Sequence, residues 1–473
     1  MARASSKVRD IAVADTVSLW PHQAQSLKFF SAQPRGIDTS APGTGKTRVQ
    51  IELYRQRATR KRWLIVAPKT LMVPAWGEDI EKYAPELTVS FAFAENREEA
   101  FLAKTDVVVI NTDGVKWLTD KKNEKYLKDF DHLTIDESSY FKHGTSQRTK
   151  AMVKLRKHFS HRYAMSGTPN PNTVMELFYP ALIVDDGKRL GTSYYSLRNK
   201  VQEPEQIGPS PDHLKWTDRP GAAQAINVIL GDITIRHPFS VMKHVPENFK
   251  EFKRFDLSKR MRKIYDQMEN ECIVAFDDGA VANAVHAASL RTKLLQIASG
   301  AVYDGGEDGK YQLIDTTRYE LTCDLIEEVE HSVIFFNWKH QRDFLAKELD
   351  KRGLTFAVID GSVPQRQRDA IVADYQAGKY RTILLHPRTG AHGLTLTRGT
   401  LTVFPSPLYE VDLMEQGIAR IYRGAQTKET RTVFIEAKNT VEGSKVYPRL
   451  FEKLTAMNDL LDMQAAKHKR KSA

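Results

Sequence analysis

Ser40-Ala-Pro-Gly43-Thr44-Gly45-Lys46-Thr47 departs from the pattern Gly-x4-Gly-Lys-Ser/Thr only at its first position, where Ser40 replaces glycine. Glycines at 43 and 45 let the backbone N–H groups of Gly43, Thr44 and Gly45 wrap phosphates. Lys46 can then reach the β- and γ-phosphates, and Thr47 can hold Mg2+ at the start of a helix. The following residues, Arg48-Val-Gln-Ile-Glu-Leu-Tyr-Arg55, read as that helix. The pattern also occurs by chance in glycine-rich turns, and the helix is what favours a nucleotide site.

On the C-terminal side of this loop, short β-branched apolar runs recur between amphipathic stretches. They include Trp63-Leu-Ile-Val-Ala67, Asp106-Val-Val-Val-Ile110, His132-Leu-Thr-Ile135 and Arg162-Tyr-Ala-Met165. Runs of this length, bounded by turns, read as buried parallel strands of an α/β sheet. The pattern stops near residue 172. Residues 172–233 read as helix and loop, broken by Pro204, Pro209, Pro211 and Pro220, and Leu257–Ser299 reads as strongly helical. Val302–Ile314 reads as two strands joined by a turn. Alternation then resumes with Ser332–Phe336, Thr355–Ile359, Arg381–Leu385, Leu401–Phe404 and Thr432–Ile435. The expected architecture is two α/β lobes, 1–240 and 241–473, with helical insertions at about 172–233 and 257–315.

At 473 residues the chain is long enough for two or three cored domains. It is 41% hydrophobic and 27% charged, as ordinary globular proteins are. It has no apolar run of membrane-spanning length and no apolar N-terminal stretch, so the expectation is a cytoplasmic protein without a membrane partner. Two cysteines, Cys272 and Cys323, exclude a disulfide framework and a cysteine-dominated zinc site. The net charge of +11 suits a polyanionic partner without requiring one, and Lys467-His-Lys-Arg-Lys471 reads first as a solvated tail.

Leu133-Thr-Ile-Asp136-Glu137-Ser-Ser is a strand ending in adjacent carboxylates. Such a pair is usually a solvated turn. In a chain with a phosphate loop, Asp136 can hold magnesium and Glu137 can orient and deprotonate the attacking water. Near the other end, Gln416-Gly-Ile-Ala-Arg420-Ile-Tyr-Arg423-Gly-Ala-Gln426 puts two arginines on one helical face. Either a solvated basic helix results, or one or both arginines reach the γ-phosphate across a cleft.

Taken together these segments resemble the Swi/Snf-like branch of superfamily-2 helicases, double-stranded-DNA translocases built on two RecA-like P-loop NTPase lobes whose parallel sheets are sandwiched by helices. Leu19-Trp-Pro-His-Gln23 is similar to the upstream element of that family, which implies adenine recognition by Gln23. Leu64–Trp76 is similar to motif Ia, and Ser166-Gly-Thr168-Pro-Asn-Pro-Asn172 to motif III, implying that Ser166 and Thr168 couple ATP state to lobe motion. Ile235-Arg236 with Leu257–Tyr265 resembles the inter-lobe stretch. Val333–Trp338, Asp360–Arg368 and Arg388–Leu396 resemble motifs IV, IVa and V, Gln416–Gln426 resembles motif VI, and Asn439-Thr-Val-Glu442 resembles the signature after it. By the same resemblance Lys46, Glu137, Gln416, Arg420 and Arg423 are the catalytic set, and Lys69, Thr112, Asn337 and Arg388 face a nucleic-acid backbone.

The chain departs from the family pattern at Ser138-Ser139, Ala419, His386-Pro387 and Pro407–Val411, which leaves the hydrolytic residues intact but puts the subfamily in question. The expected activity is ATP- and Mg2+-dependent translocation on, or remodelling of, duplex or branched DNA by a compact bacterial or phage enzyme. An RNA helicase and a nucleotide-gated DNA clamp without productive hydrolysis are the alternatives. A further possibility is a motor subunit of a larger repair, recombination or restriction assembly.

Overall fold

The computed structural model describes residues 18–457, apart from 58–59, 170–171, 208–209, 211–212, 276–280, 285–286, 304–309 and 391–393. The basic tail at 467–471, Pro209, Pro211, Pro171 and the glycine at 393 lie outside the described residues. The first lobe is built on seven strands: β1 (Arg35–Asp38), β2 (Arg62–Ala67), β3 (Val89–Ala92), β4 (Val107–Asn111), β5 (Phe130–Ile135), β6 (His161–Met165) and, after a hairpin, β9 (Thr234–Ile235). They form one parallel sheet in the order β3-β4-β2-β5-β6-β1-β9. Both faces are covered, which is why Leu64, Ile65, Val66, Val108 and Val109 are fully buried without alternation. Each such side chain contributes about 1.5–3 kcal/mol on burial.

The second lobe carries β10 (Asn248–Phe255) and, after two hairpins, β15 (Ser332–Phe335), β16 (Phe356–Ile359), β17 (Thr382–Leu385), β18 (Leu401–Phe404) and β19 (Thr430–Ala437). Their order is β10-β19-β18-β15-β17-β16, again all parallel. The chain leaves the first sheet at Ile235 and enters the second at Asn248.

Two segments contain strands that their sequence readings did not expect, 172–233 read as helix and loop and 257–299 read as strongly helical. The proline-broken stretch includes the antiparallel hairpin β7 (Gln202–Gln206) and β8 (Leu214–Asp218), in which Pro204 pairs with Trp216. The stretch 257–299 is helix Lys259–Glu271, a short hairpin of β11 (Ile273–Ala275) and β12 (Val281–Asn283), and helix Ala287–Ala298. Three-residue strands are too short to show a period against the helical pattern around them. The pair expected at 302–314 is present as β13 (Ala301–Tyr303) and β14 (Tyr311–Leu313).

Neither helical segment stands apart from its lobe. Met175, Phe178, Leu182 and Ile226 pack with Ile37 and Ala164 of the first sheet. Met261, Tyr265, Leu295 and Ile297 pack with Ile334, Leu384, Val403 and Ile435 of the second. Each segment therefore forms one covering layer of a parallel sheet. None of the described helices is long and apolar enough to cross a membrane.

Candidate active site

The phosphate loop leaves the carboxyl end of β1, Asp136 and Glu137 leave β5, and Ser166–Thr168 leave β6. These three strands are neighbours, so their loops share one edge, where ligands of open α/β sheets bind. Gly43 and Gly45 both have φ of +80°, a left-handed conformation that a side chain would strain. Gly45 precedes helix Lys46–Arg55, whose unpaired N-terminal N–H groups open into the loop. Ser40 has a local reason to replace glycine. Its N–H donates to Asp38 Oδ1 at 2.9 Å and its hydroxyl accepts the His237 N–H at 3.1 Å, tying the loop to the chain after β9.

Lys46 Nζ donates to the Ser40 and Ala41 carbonyls at 2.8 and 3.2 Å. Burial lowers its pKa, opposed by the charges of Asp38, Glu137 and Asp136. Asp136 is buried, its Oδ2 accepting the Trp76 indole N–H at 2.9 Å and its Oδ1 the Glu137 N–H at 3.0 Å. Glu137 sits at φ 52°, ψ 61°, an uncommon conformation for a glutamate and one that clusters at functional sites. Its pKa is pushed up to about 7 by burial first and Asp136 second, with Lys46 and Arg420 opposing. Arg420, contributed by the other lobe, is thus within electrostatic reach of Glu137.

Arg420 lies just past helix Val411–Ile418. Its Nε donates to the Gln416 carbonyl at 2.8 Å and an Nη to the Leu394 carbonyl at 3.1 Å. Burial, then the neighbouring Arg423, push its pKa down to about 9. Arg423 donates to Thr395 Oγ1 at 2.7 Å and faces Asp79 of the first lobe. The backbone of Arg423 abuts the phosphate loop: a Cβ placed on Gly43 would lie 3.0 Å from Arg423 Cβ. Tyr422 packs its ring on Phe239 at 4.4 Å, and the Gly424 carbonyl lies 3.1 Å from His244 Nε2. The halves of the site, far apart in sequence, are therefore adjacent in space.

Several buried polar atoms here lack a protein partner: Glu137 Oε2, Thr168 Oγ1 and Gln416 Oε1. Leaving such groups unpaired costs free energy, and their convergence on one cleft fits a polar ligand with its water and metal. No group of three or more His, Cys, Asp or Glu side chains that could hold a metal occurs among the described residues. The Asp136 carboxylate and Thr47 hydroxyl are oxygen donors of the kind Mg2+ takes, which binds through one or two side chains plus phosphate oxygens and water. Ser166 and Thr168 are both 1% exposed. The Ser166 N–H donates to the Asp38 carbonyl at 3.0 Å, and Gly167 lies against Pro42 of the phosphate loop.

Gln23 is turned toward the loop backbone, its Nε2 donating to the Thr44 carbonyl at 3.3 Å and its Oε1 accepting the Trp20 N–H at 3.0 Å. The four residues assigned to nucleic acid follow β2, β4, β15 and β17, but differ in access. Lys69 and Arg388 are exposed, Arg388 paired with Glu410 at 2.7 Å. Asn337 is half-buried and donates to the Pro407 carbonyl at 3.0 Å, while Thr112 is 4% exposed.

The sequence patterns assign no part in the site to Asp38, to Trp76 itself, to Asp79, or to Asp412, a carboxylate of the second lobe whose charge adds to the rise in the Glu137 pKa. Asp38 had a usable signal, a carboxylate closing a short strand immediately before the phosphate loop. Trp76, Asp79 and Asp412 had none, since their roles depend on contacts across the fold.

The SNF2-related domain model matches residues 22–299, more than half of the chain, and the helicase conserved C-terminal domain matches 317–425. The chain belongs to the SNF2-related family. It is an ATPase of helicase superfamily 2 with two parallel-sheet lobes. Protein p41 of Acyrthosiphon pisum secondary endosymbiont phage 1 is 27% identical over 95% of this chain and 98% of its own length. An uncharacterized ATP-dependent helicase of Mycoplasma genitalium, MG018, is 21% identical over 90% of this chain but only 40% of its own length. A solved SWI2/SNF2 ATPase core from Sulfolobus solfataricus, in complex with dsDNA, aligns over 95% of this chain and 94% of that one, at 18% identity and a TM-score of 0.43. This SNF2-related chain thus matches a phage protein end to end and spans about two fifths of the longer bacterial helicase.

Proposed function

We propose that the chain hydrolyses ATP between its lobes and uses lobe closure and release to move along, or remodel, duplex or branched DNA. The observation that carries this reading is the meeting of Lys46, Asp136 and Glu137 with Arg420 and Arg423 in one buried cleft. The SNF2-related family and a relative named as an ATP-dependent helicase support it, and the net charge of +11 suits a DNA track.

In this mechanism the loop N–H groups of Gly43 to Gly45 and the Lys46 ammonium bind the phosphates of the substrate ATP. Glu137, its basicity raised toward neutrality by burial, orients the attacking water and takes its proton. Thr47 and Asp136 would hold Mg2+, which when bound neutralises phosphate charge. Arg420 and Arg423 bring positive charge from the second lobe to the γ-phosphoryl group, a role worth about 10^3 to 10^5 in rate in related chemistry. Ser166 and Thr168, which flank the Gly167 that lies against Pro42 of the phosphate loop, would relay nucleotide state to lobe position. Lys69, Thr112, Asn337 and Arg388 would meet the strand through its phosphates, a mode that is sequence-blind and salt-sensitive.

The test is the ATPase rate with duplex DNA, forked DNA, single-stranded DNA and RNA. Duplex or forked DNA should stimulate most, and stimulation by RNA alone would overturn the choice of track. Lys46→Ala and Glu137→Gln should abolish turnover under every condition, and a Glu137→Gln protein hydrolysing ATP at the wild-type rate would overturn the catalytic assignment.

A further inference from the structure

Away from the nucleotide cleft, the second lobe carries a cavity of about 550 Å3 between the chain after β18, helix Ala287–Ala298 and the C-terminal helical segment. Its wall includes Tyr409, and its rim includes Arg291, Lys445, Arg449 and Lys453, with Glu452 as the one carboxylate among the lining residues. Ligand clefts of such volume, about 300–1,000 Å3, are mostly apolar with a few placed polar groups. This one is ringed by four cations. Arg291, Lys445 and Arg449 are exposed and make no ion pair among the described residues. Elsewhere in the molecule exposed arginines are commonly paired, as Arg388 is with Glu410 and Arg254 with Glu436.

Lys453 distinguishes the cavity from a patch of solvated surface. It is half-buried, and its Nζ donates to Asn172 Oδ1 of the first lobe at 2.9 Å. The Asn172 amide donates to Glu176 Oε1 at 3.1 Å, and Glu176 accepts from Lys142 at 2.9 Å. Lys142 in turn faces Asp412, on the helix that carries Gln416. The cavity therefore lies at a lobe junction and connects through polar contacts to the elements that hold the hydrolytic residues.

We infer that this cavity is a contact site for nucleic-acid phosphates, in which the backbone of the strand bound by the second lobe lies between Arg291, Lys445, Arg449 and Lys453. The inference rests on the proposed DNA track and adds to it a site that no motif marks. A free anion such as inorganic phosphate offers the same chemistry. A strand is favoured because the cations line an open rim spanning two chain segments and a lobe junction instead of enclosing one buried point. Phosphate contacts of this kind position a strand without reading its sequence.

The test compares wild type with Arg291→Glu/Arg449→Glu, using the full chain and duplex DNA over a range of salt concentrations. Each lost phosphate contact should reduce the steepness of the log affinity against log salt plot by about 1. The double variant should bind duplex DNA at least about tenfold more weakly at low salt, with a shallower slope and reduced DNA stimulation, while its ATPase rate without DNA stays at the wild-type level. Arg291→Gln/Arg449→Gln should show the same change in smaller degree, which separates charge loss from misfolding. A double variant with the affinity and slope of a wild type that does bind DNA would overturn this site and leave the proposed function standing. Loss of inorganic phosphate binding with DNA binding intact would reassign the cavity to a small anion and overturn the strand contact. A wild type that binds no nucleic acid would overturn the proposed function and this site with it.

Discussion

Two buried arginines of the second lobe, Arg318 and Arg420, have opposite electrostatic surroundings. Arg318 is 1% exposed and bound by both oxygens of Glu442, itself fully buried, at 2.9 Å. It also donates to the carbonyls of Pro405, Ala298 and Ile435, pinning β18, β19 and helix Ala287–Ala298 together. Arg420 is 9% exposed; among the described residues its side chain bonds carbonyls of its own lobe, and the carboxylate that favours its charge is Glu137 across the cleft. One cation is neutralised permanently inside its lobe. Among the described residues the other has no ion pair within its lobe, and the counter-charge that favours it comes from Glu137 of the opposite lobe. That difference marks Arg318 as structural and is what the proposed role of Arg420 in the cleft requires.

Arg420→Met, which roughly keeps volume and removes charge, should have the largest effect. Turnover should fall about a thousandfold or more, the scale of losing an arginine that stabilises phosphoryl transfer. ATP binding should persist, and the urea midpoint should stay level or rise, because an unpaired buried charge is exchanged for an apolar side chain. Single-turnover hydrolysis and urea melts measure both, and a near-wild-type rate would place Arg420 with Arg318 as structural.

The reciprocal variant, Glu442→Gln, should act on stability. Removing one partner of a buried pair leaves Arg318 uncompensated, at a cost of about 3–5 kcal/mol. Burial raises the Glu442 pKa, and the Arg318 charge and the Ala437 N–H oppose the rise. The urea midpoint should drop while the rate per folded molecule is retained. A variant as stable as wild type but slow in hydrolysis would reverse the assignment.

How much of this was legible beforehand follows the same division. The phosphate loop, Asp136-Glu137 and Arg420/Arg423 are local patterns whose chemistry restricts residue type, so they could be read from the chain. The central strands were equally readable, because burial on both faces forces continuous β-branched runs such as Val107–Ile110. Strand β10, Asn-Phe-Lys-Glu-Phe-Lys-Arg-Phe, was not. It is an edge strand pairing only with β19, and its exposed charges hide the alternation. β1 escaped because four residues including Gly36 show no period. Trp76 could be seen as a core residue but not as the donor to Asp136, since that bond crosses sixty positions of chain and exists only once β2 and β5 are paired. Asp79 was invisible for the same reason.

Asp79 gives the smallest expected effect and the finest test of charge placement across the cleft. Burial raises its pKa to about 6, with Arg423 and Lys82 opposing. A carboxyl whose folded pKa exceeds its unfolded value of about 3.9 favours folding in its neutral form, so that contribution is complete below about pH 4 and lost as pH rises through 6. Asp79→Asn keeps the side chain neutral throughout. The variant should therefore melt at a higher temperature than wild type at pH 8, with the gap closing as pH falls toward 4. Its ATPase rate should fall only a few-fold, because Arg423 retains Thr395 Oγ1 and loses only a facing charge. A melting difference constant across this range would show that Asp79 is ionised at no cost in the fold. The counter-charge opposite Arg423 would then be fixed, and Arg423 would belong with Arg318 among the permanently neutralised arginines.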